Sequence, residues 1–246
     1  MALTFLIVLT LASISCSLWI GRVTWNCRWE VAATLNIALQ GCAIALMSPA
    51  ASATLGVALH HLTRKWNLED YIGHDCYIVA ASAVVYNALG RLSDDDAMQK
   101  SFKQYVERPA TLCIPVLLAT FSVGNGAKIY VADFFRVPTD FWLSMYWLLL
   151  CGTLTYLLGY GMRALLVLRK DPRSRRIANM YLLASASWIT GCLIRITTAF
   201  VTPLQRIERG SLVWLFACLC GACFALASAQ SWRQKLKWFQ RPTVSV

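Results

Sequence analysis

FWLSMYWLLLCGTLTYLLGYGM, residues 141–162, runs for twenty-two positions without one charged side chain. The hydrocarbon core of a bilayer is about 30 Å thick, and an α-helix crosses it in about 20 residues. A helix apolar on every side lies either in the core of a large protein or in a membrane. The rest of the chain decides for the membrane. Six further stretches come near the same length and composition: 2–20, 31–47, 71–89, 110–123, 178–201 and 211–228. The shortest, 110–123, either borrows Tyr105 and Val106 or continues past Gly124.

Over its 246 residues the chain is 58% hydrophobic and 14% charged, with a mean hydropathy of +0.53. Soluble domains are about 45–50% apolar and about 25% charged. The composition excludes a disordered chain, a disulfide-stapled miniprotein and a nucleic-acid-binding domain with a soluble core. The expected fold is all-α. It is a polytopic membrane helical bundle of seven transmembrane helices, with one outer and one cytoplasmic interfacial helix. Residues 1–230 form the bundle, and 231–246 form a basic, aromatic cytoplasmic tail.

The net charge of +11 is informative through its placement. The loops 21–30, 90–109 and 163–177 and the tail 229–246 carry 16 Lys and Arg residues. The loops 48–70, 124–140 and 202–210 carry 6. Basic loops stay in the cytoplasm, so the spacing predicts an N-terminus outside and a C-terminus inside a bacterial cytoplasmic membrane. The first residues, Met1-Ala2-Leu3-Thr4-Phe5, lack the basic region of a cleaved signal peptide. They are read as the start of a retained membrane helix.

Two connections have helical composition. After Pro49, residues 50–65 alternate apolar Leu55, Val57, Leu59 and Leu62 with His60, His61, Arg64 and Lys65. They predict an outer-surface helix or a re-entrant segment. On the cytoplasmic side, Ser93 before Asp94-Asp95-Asp96 predicts an N-cap with an acidic first turn. Met98, Phe102 and Tyr105 then form one apolar stripe, and Pro109 marks the entry to the fourth span. Ala217, Gly221 and Ala225 recur every four residues in the last span, a small-residue stripe that lets a neighbouring helix approach. Trp19, Trp25, Trp29, Trp142, Trp147, Trp232 and Trp238 lie near span ends, where an interfacial belt is expected. The tail from Trp232 to Phe239 is expected to lie on anionic inner-leaflet lipids.

Ionisable groups within spans are costly and are functional candidates. Asp75 lies about 6 Å, and Arg195 about 9 Å, from the outer ends of their spans at 1.5 Å per residue. Gln40 and Tyr146 fall at similar depth, and His74 flanks Asp75. These five residues predict an outer polar layer centred on an Asp75–Arg195 ion pair. Two other fates are open to Arg195: its long stem can snorkel outward, or it can pair with Asp133 or Asp140. Asn36 and Asn87, near inner span ends, predict hydrogen bonds between helices.

The ten cysteines fall mostly in apolar runs, where a thiol acts as a small hydrophobe. No Cys pair has zinc spacing with His nearby, so neither metal nor other cofactor is expected. Gly159-Tyr160-Gly161 matches the loose dinucleotide pattern, but it ends an apolar span instead of joining a strand to a helix. Without a nucleophile elbow, zinc-protease motif or phosphate loop, no enzymatic activity is expected.

The segment from Arg28 to Leu92 joins a span containing Asn36, the end Ser48-Pro49, an outer helix, and Asn67-Leu68 before Gly73-His74. In this order of features it resembles a family of multi-pass membrane proteins from high-GC Gram-positive bacteria and their phages, whose members are labelled transporters. The resemblance covers about a quarter of the chain. It departs from the family in that about 18 residues, and no cytoplasmic domain, follow Ser228. It implies transport or sensing of a small solute at the outer polar layer. A second class stays open: a non-transporting protein of phage exclusion, immunity or host defence. Its stripe and tail would then meet another membrane protein or a second copy. Nucleic acid is not an expected partner.

Overall fold

A computed structural model describes residues 2–26, 30–92, 95–201, 203–204 and 210–239, without the side chains of 26 and 234–239. No strand occurs among them. The helices are α1 (Ala2–Ile20), α2 (Val31–Leu46), α3 (Pro49–Thr63), α4 (Leu68–Leu89), α5 (Asp95–Val123), α6 (Phe141–Leu168), α7 (Arg175–Phe200) and α8 (Ser211–Phe239). Five of them, α1, α5, α6, α7 and α8, are long and apolar enough to cross a membrane. The pair α2 and α3, bent by 57° at the break, makes a sixth candidate. All seven expected stretches are therefore helical, and five or six meet the requirement for a span. The exception is α4, whose first two turns hold Glu69, Asp70, His74 and Asp75.

Two local expectations are corrected. The cytoplasmic helix is not a separate element: it runs without a break into the fourth span as α5. Pro109 falls inside this continuous helix, where its missing N–H removes one backbone bond, and a π-turn over Lys103–Glu107 just before it absorbs the change of register. The span thus borrows Tyr105 and Val106. The expected cap at Ser93 and Asp94 lies outside the described residues. Of the stripe, Met98 is buried and Phe102 packs edge-on against Tyr86 at 5.1 Å, but Tyr105 is exposed. The outer helix is α3. Ser48 caps it by accepting from Ala51 N–H at 3.2 Å, and a second π-turn, Ser52–Gly56, lies in its middle.

The bundle is built around α4, which packs on α2, α5 and α6, while α7 lies between α6 and α8 and α1 lies against α8 and α2. Small residues make this possible. A Cβ on Gly73 of α4 would meet Met47 Cγ at 2.8 Å and the Ala43 carbonyl at 3.2 Å. In lipid, close van der Waals packing of this kind is what joins helices.

The loops divide between the two ends. At one end, Asn67 Nδ2 donates to the carbonyls of Gly126 and Ile129 at 2.7 and 2.9 Å. There too Thr139 Oγ1 donates to the Ala199 carbonyl at 3.3 Å. At the other end, Glu30 and Arg91 form an ion pair at 3.7 Å. A recess of about 180 Å³ there is lined by Asn87, Arg91, Arg173, Ser174 and Ser231. The described parts of the more basic loops thus share the second end.

The small-residue stripe lies partly inside the bundle. Gly221 faces Ile44 and Thr10, and Ser17 of α1 donates to the Ala225 carbonyl at 2.8 Å. Ala217 turns elsewhere, to a cavity described below. Trp19, Trp25 and Trp142 are exposed, as an interfacial belt requires, but Trp147 is 1% exposed and belongs to the interior. Trp29 and the side chain of Trp238 lie outside the described residues. The helix α8 continues to Phe239 without a break at 230.

Candidate functional site

Arg195 projects from α7 into the bundle and is 1% exposed. Its guanidinium lies 4.1 Å from the Trp147 ring centre and 5.8 Å from that of Phe135. A desolvated cation over an indole face gains about 2 kcal/mol or more, which offsets part of the cost of burying the charge. Arg195 does not snorkel. Asp133, in the loop before α6, stands within its field. That carboxylate bridges Arg136 at 3.1 Å and accepts from Trp214 Nε1 at 3.2 Å. Burial pushes the Asp133 carboxyl above the ordinary range, although Trp214, Arg136, the Phe135 N–H and Arg195 all pull it down. Asp140 serves elsewhere, capping α6 by accepting from Leu143 N–H at 2.8 Å.

Beside Arg195, His74 Nδ1 and the Tyr146 hydroxyl share a hydrogen bond of 2.7 Å. The His74 ring meets Trp147 edge-on at 5.2 Å. His74, Tyr146 and Arg195 therefore come together, with Trp147 at the join. A cavity of about 40 Å³ opens here, bounded by His74, Tyr77, Trp147, Trp188, Arg195 and Trp214 among others. A cavity needs about 10–15 Å³ to hold one water, so the space holds a few particles of that size. Three of the bordering residues, His74, Tyr77 and Trp147, each carry a buried polar atom without a hydrogen-bond partner, although the surface of the cavity itself is almost wholly apolar.

The expected ion pair does not form: among the described residues Asp75 pairs with neither Arg195 nor another cation. Residues 74 and 75 stand about 100° apart around an α-helix, so only one of them can face α7. His74 does. Asp75 turns to Tyr71, one helical turn before it, and to Cys113 of α5. It still lies within electrostatic range of Tyr146. Gln40 is further removed. Its Nε2 donates to Asn36 Oδ1 at 2.7 Å within α2, and the Cys220 thiol points at its Oε1 from 4.0 Å. Its bonds run to Asn36 and Cys220 and not to His74 or Tyr146, so the five-residue layer is two separate polar sites. Asn36 and Asn87 were expected to bond between helices. Asn36 instead pairs with Gln40 within α2, and Asn87 accepts at 3.4 Å from Arg91 in the turn that follows α4.

Sequence reading missed Glu69 and Asp70, which are 0% and 1% exposed. Both Glu69 oxygens lack a hydrogen-bond partner and press on Gly56 of α3, where a Cβ would meet Oε1 at 2.5 Å. Their signal was present as an acidic pair directly before an apolar run, in a segment counted as loop. Tyr77, Trp188 and Trp214 were also missed, because an aromatic inside an apolar span looks like any other packing residue. Among the described residues no three His, Cys, Asp or Glu side chains are arranged to hold a metal ion.

No family model, no curated protein and no solved structure matches this chain. The functional reading therefore stands on the site itself.

Proposed function

We propose that this chain is a seven-span protein of a bacterial cytoplasmic membrane, N-terminus outside, that takes up or senses a small solute and performs no covalent chemistry. The observation that carries this reading is the cavity at the meeting of α4, α6, α7 and α8. Arg195 borders it, as do three residues with a buried unpartnered polar atom, His74, Tyr77 and Trp147. Leaving such atoms unsatisfied costs about 1–3 kcal/mol each, which a purely structural bundle avoids. The bent, π-turned α2–α3 pair beside Glu69 supports it, since broken helices in membranes commonly border a solute path. The count of seven includes α4, whose acids are turned inward where lipid does not meet them. The loop charges support the orientation. The resemblance of residues 28–92 to multi-pass proteins labelled transporters points the same way.

The cavity wall carries its own reporter, Cys192, which is buried beside Arg195. In a variant retaining Cys192 as its one cysteine, a small membrane-impermeant thiol reagent added to intact cells should modify it. The same reagent applied to inside-out vesicles should leave it unmodified. Reaction only in inside-out vesicles reverses the orientation. Reaction in neither means that no path from either face opens onto Cys192, and the solute reading falls.

A further inference from the structure

We propose that the recess at the basic end of the bundle binds the phosphate of an anionic lipid headgroup. This goes beyond the solute reading and does not depend on it. The recess, of about 180 Å³, opens where the ends of α4, α6, α7 and α8 meet. A water needs about 10–15 Å³ of such space, so a phosphate with its glycerol has room. Much of the recess surface is polar. Arg91 and Arg173 both line it, and among the described residues no Asp or Glu does. Arg91, in the turn after α4, is held in place. Its Nε donates to Asn87 Oδ1 at 3.4 Å, and Glu30 meets its Nη2 at 3.7 Å, while 34% of the side chain stays exposed. Arg173, in the turn between α6 and α7, is exposed and forms no ion pair among the described residues. The acid of that turn, Asp171, is already engaged. It accepts from the Ser174 hydroxyl at 2.9 Å and from the Arg173 N–H at 3.1 Å. Residues 169–176 hold five Arg and Lys against this one acid, so the field at the recess is positive.

A free phosphate is the competing occupant, and it fits less well. Leu165, Leu168 and Ile177 complete the wall. A site cationic on one side and apolar on the other matches a headgroup, whose phosphate continues into glycerol and acyl chains. A free phosphate is hydrated on every side and gains nothing from the leucines. The exposed Leu166 and Val167 near the end of α6 bring lipid to the height of the recess. Basic pockets between membrane helices on the cytoplasmic side hold anionic headgroups, and a guanidinium can meet a phosphate through two parallel hydrogen bonds. Both arginines come from the turns after α4 and α6, so this site is separate from the basic tail.

Native mass spectrometry of the full chain, delipidated in detergent, tests the site. Phosphatidylglycerol is the probe, phosphatidylcholine the control without net charge, and sodium phosphate the soluble competitor. Phosphatidylglycerol should bind at concentrations where phosphatidylcholine does not. Arg91→Gln and Arg173→Gln should each weaken it about tenfold. Lys170→Gln, in the same turn but outside the recess, should change it by about twofold or less. Because Arg173 is exposed and unpaired, its variant keeps the test decisive should Arg91→Gln, which breaks the pair with Glu30, fold poorly. Equal binding of the two lipids, or a loss from Lys170→Gln as large as that from Arg173→Gln, overturns the proposal, since the attraction would then be diffuse. Displacement of the lipid by sodium phosphate also overturns it, and gives the recess to a soluble anion. Labelling of Cys192 reads the other cavity alone, so the solute reading can fail while this site stands.

Discussion

Helices α1 and α4 sit at opposite extremes of the same bundle. α1 carries no charge, and only 22% of its span is buried. α4 begins with two acids and a histidine, falls short as a span by composition, and buries fourteen of its twenty-two residues. Hydropathy therefore reports which helix faces lipid, not which helix is most interior. A helix enclosed by α2, α5 and α6 can carry Glu69, Asp70 and His74 because its neighbours, and not lipid tails, surround them. A lipid-facing helix has no such shelter, and α1 meets the tails by being apolar throughout.

Truncating one side chain in each helix sharpens the contrast most. Ile78 of α4 is fully buried, whereas Val8 of α1 is 58% exposed. Ile78→Ala should destabilise the bundle by about 2–5 kcal/mol through the cavity it leaves. Val8→Ala should stay within about 0.5 kcal/mol. Unfolding by sodium dodecyl sulfate from mixed micelles measures both, and equal losses would break the comparison. The reverse experiment moves an acid to the lipid face. Leu9→Asp in α1 should cost about 3 kcal/mol in insertion, read as loss of membrane-integrated protein in a translocation assay. Unchanged insertion would mean that α1 is sheltered by a partner helix.

The same contrast explains what could be read in advance. Helix positions and the alternation of loops were legible, because apolar length and basic loops are local signals. Rotation about the helix axis was not. An apolar helix carries no stripe to fix which side faces inward, so the sequence could not tell whether His74 or Asp75 meets α7. The pairing of Asn36 with Gln40 follows from the i, i+4 spacing within one helix and was legible in principle. Glu69 and Asp70 read as loop because their charge outweighs their neighbours in any window. Trp147 was placed in the belt by distance from a span end, yet Arg195 and His74 hold it inside.

Asp133 offers the smallest and most specific test, since it is a loop residue sheltered as α4 is. Its carboxyl is held above the value of 3.8 it would have in the unfolded chain, chiefly by burial. Between those two values the folded protein binds the proton that the unfolded chain has released. Stability then falls as pH rises through that window, and the loss is complete once the folded carboxyl has ionised. Asp133→Asn keeps an acceptor for Trp214 Nε1 but removes the titration. Unfolding measured from pH 4 upward should therefore decline more steeply for the wild type than for the variant. Parallel curves would mean that Arg136 and Arg195 outweigh burial, and that shelter of this kind stops at the helix ends.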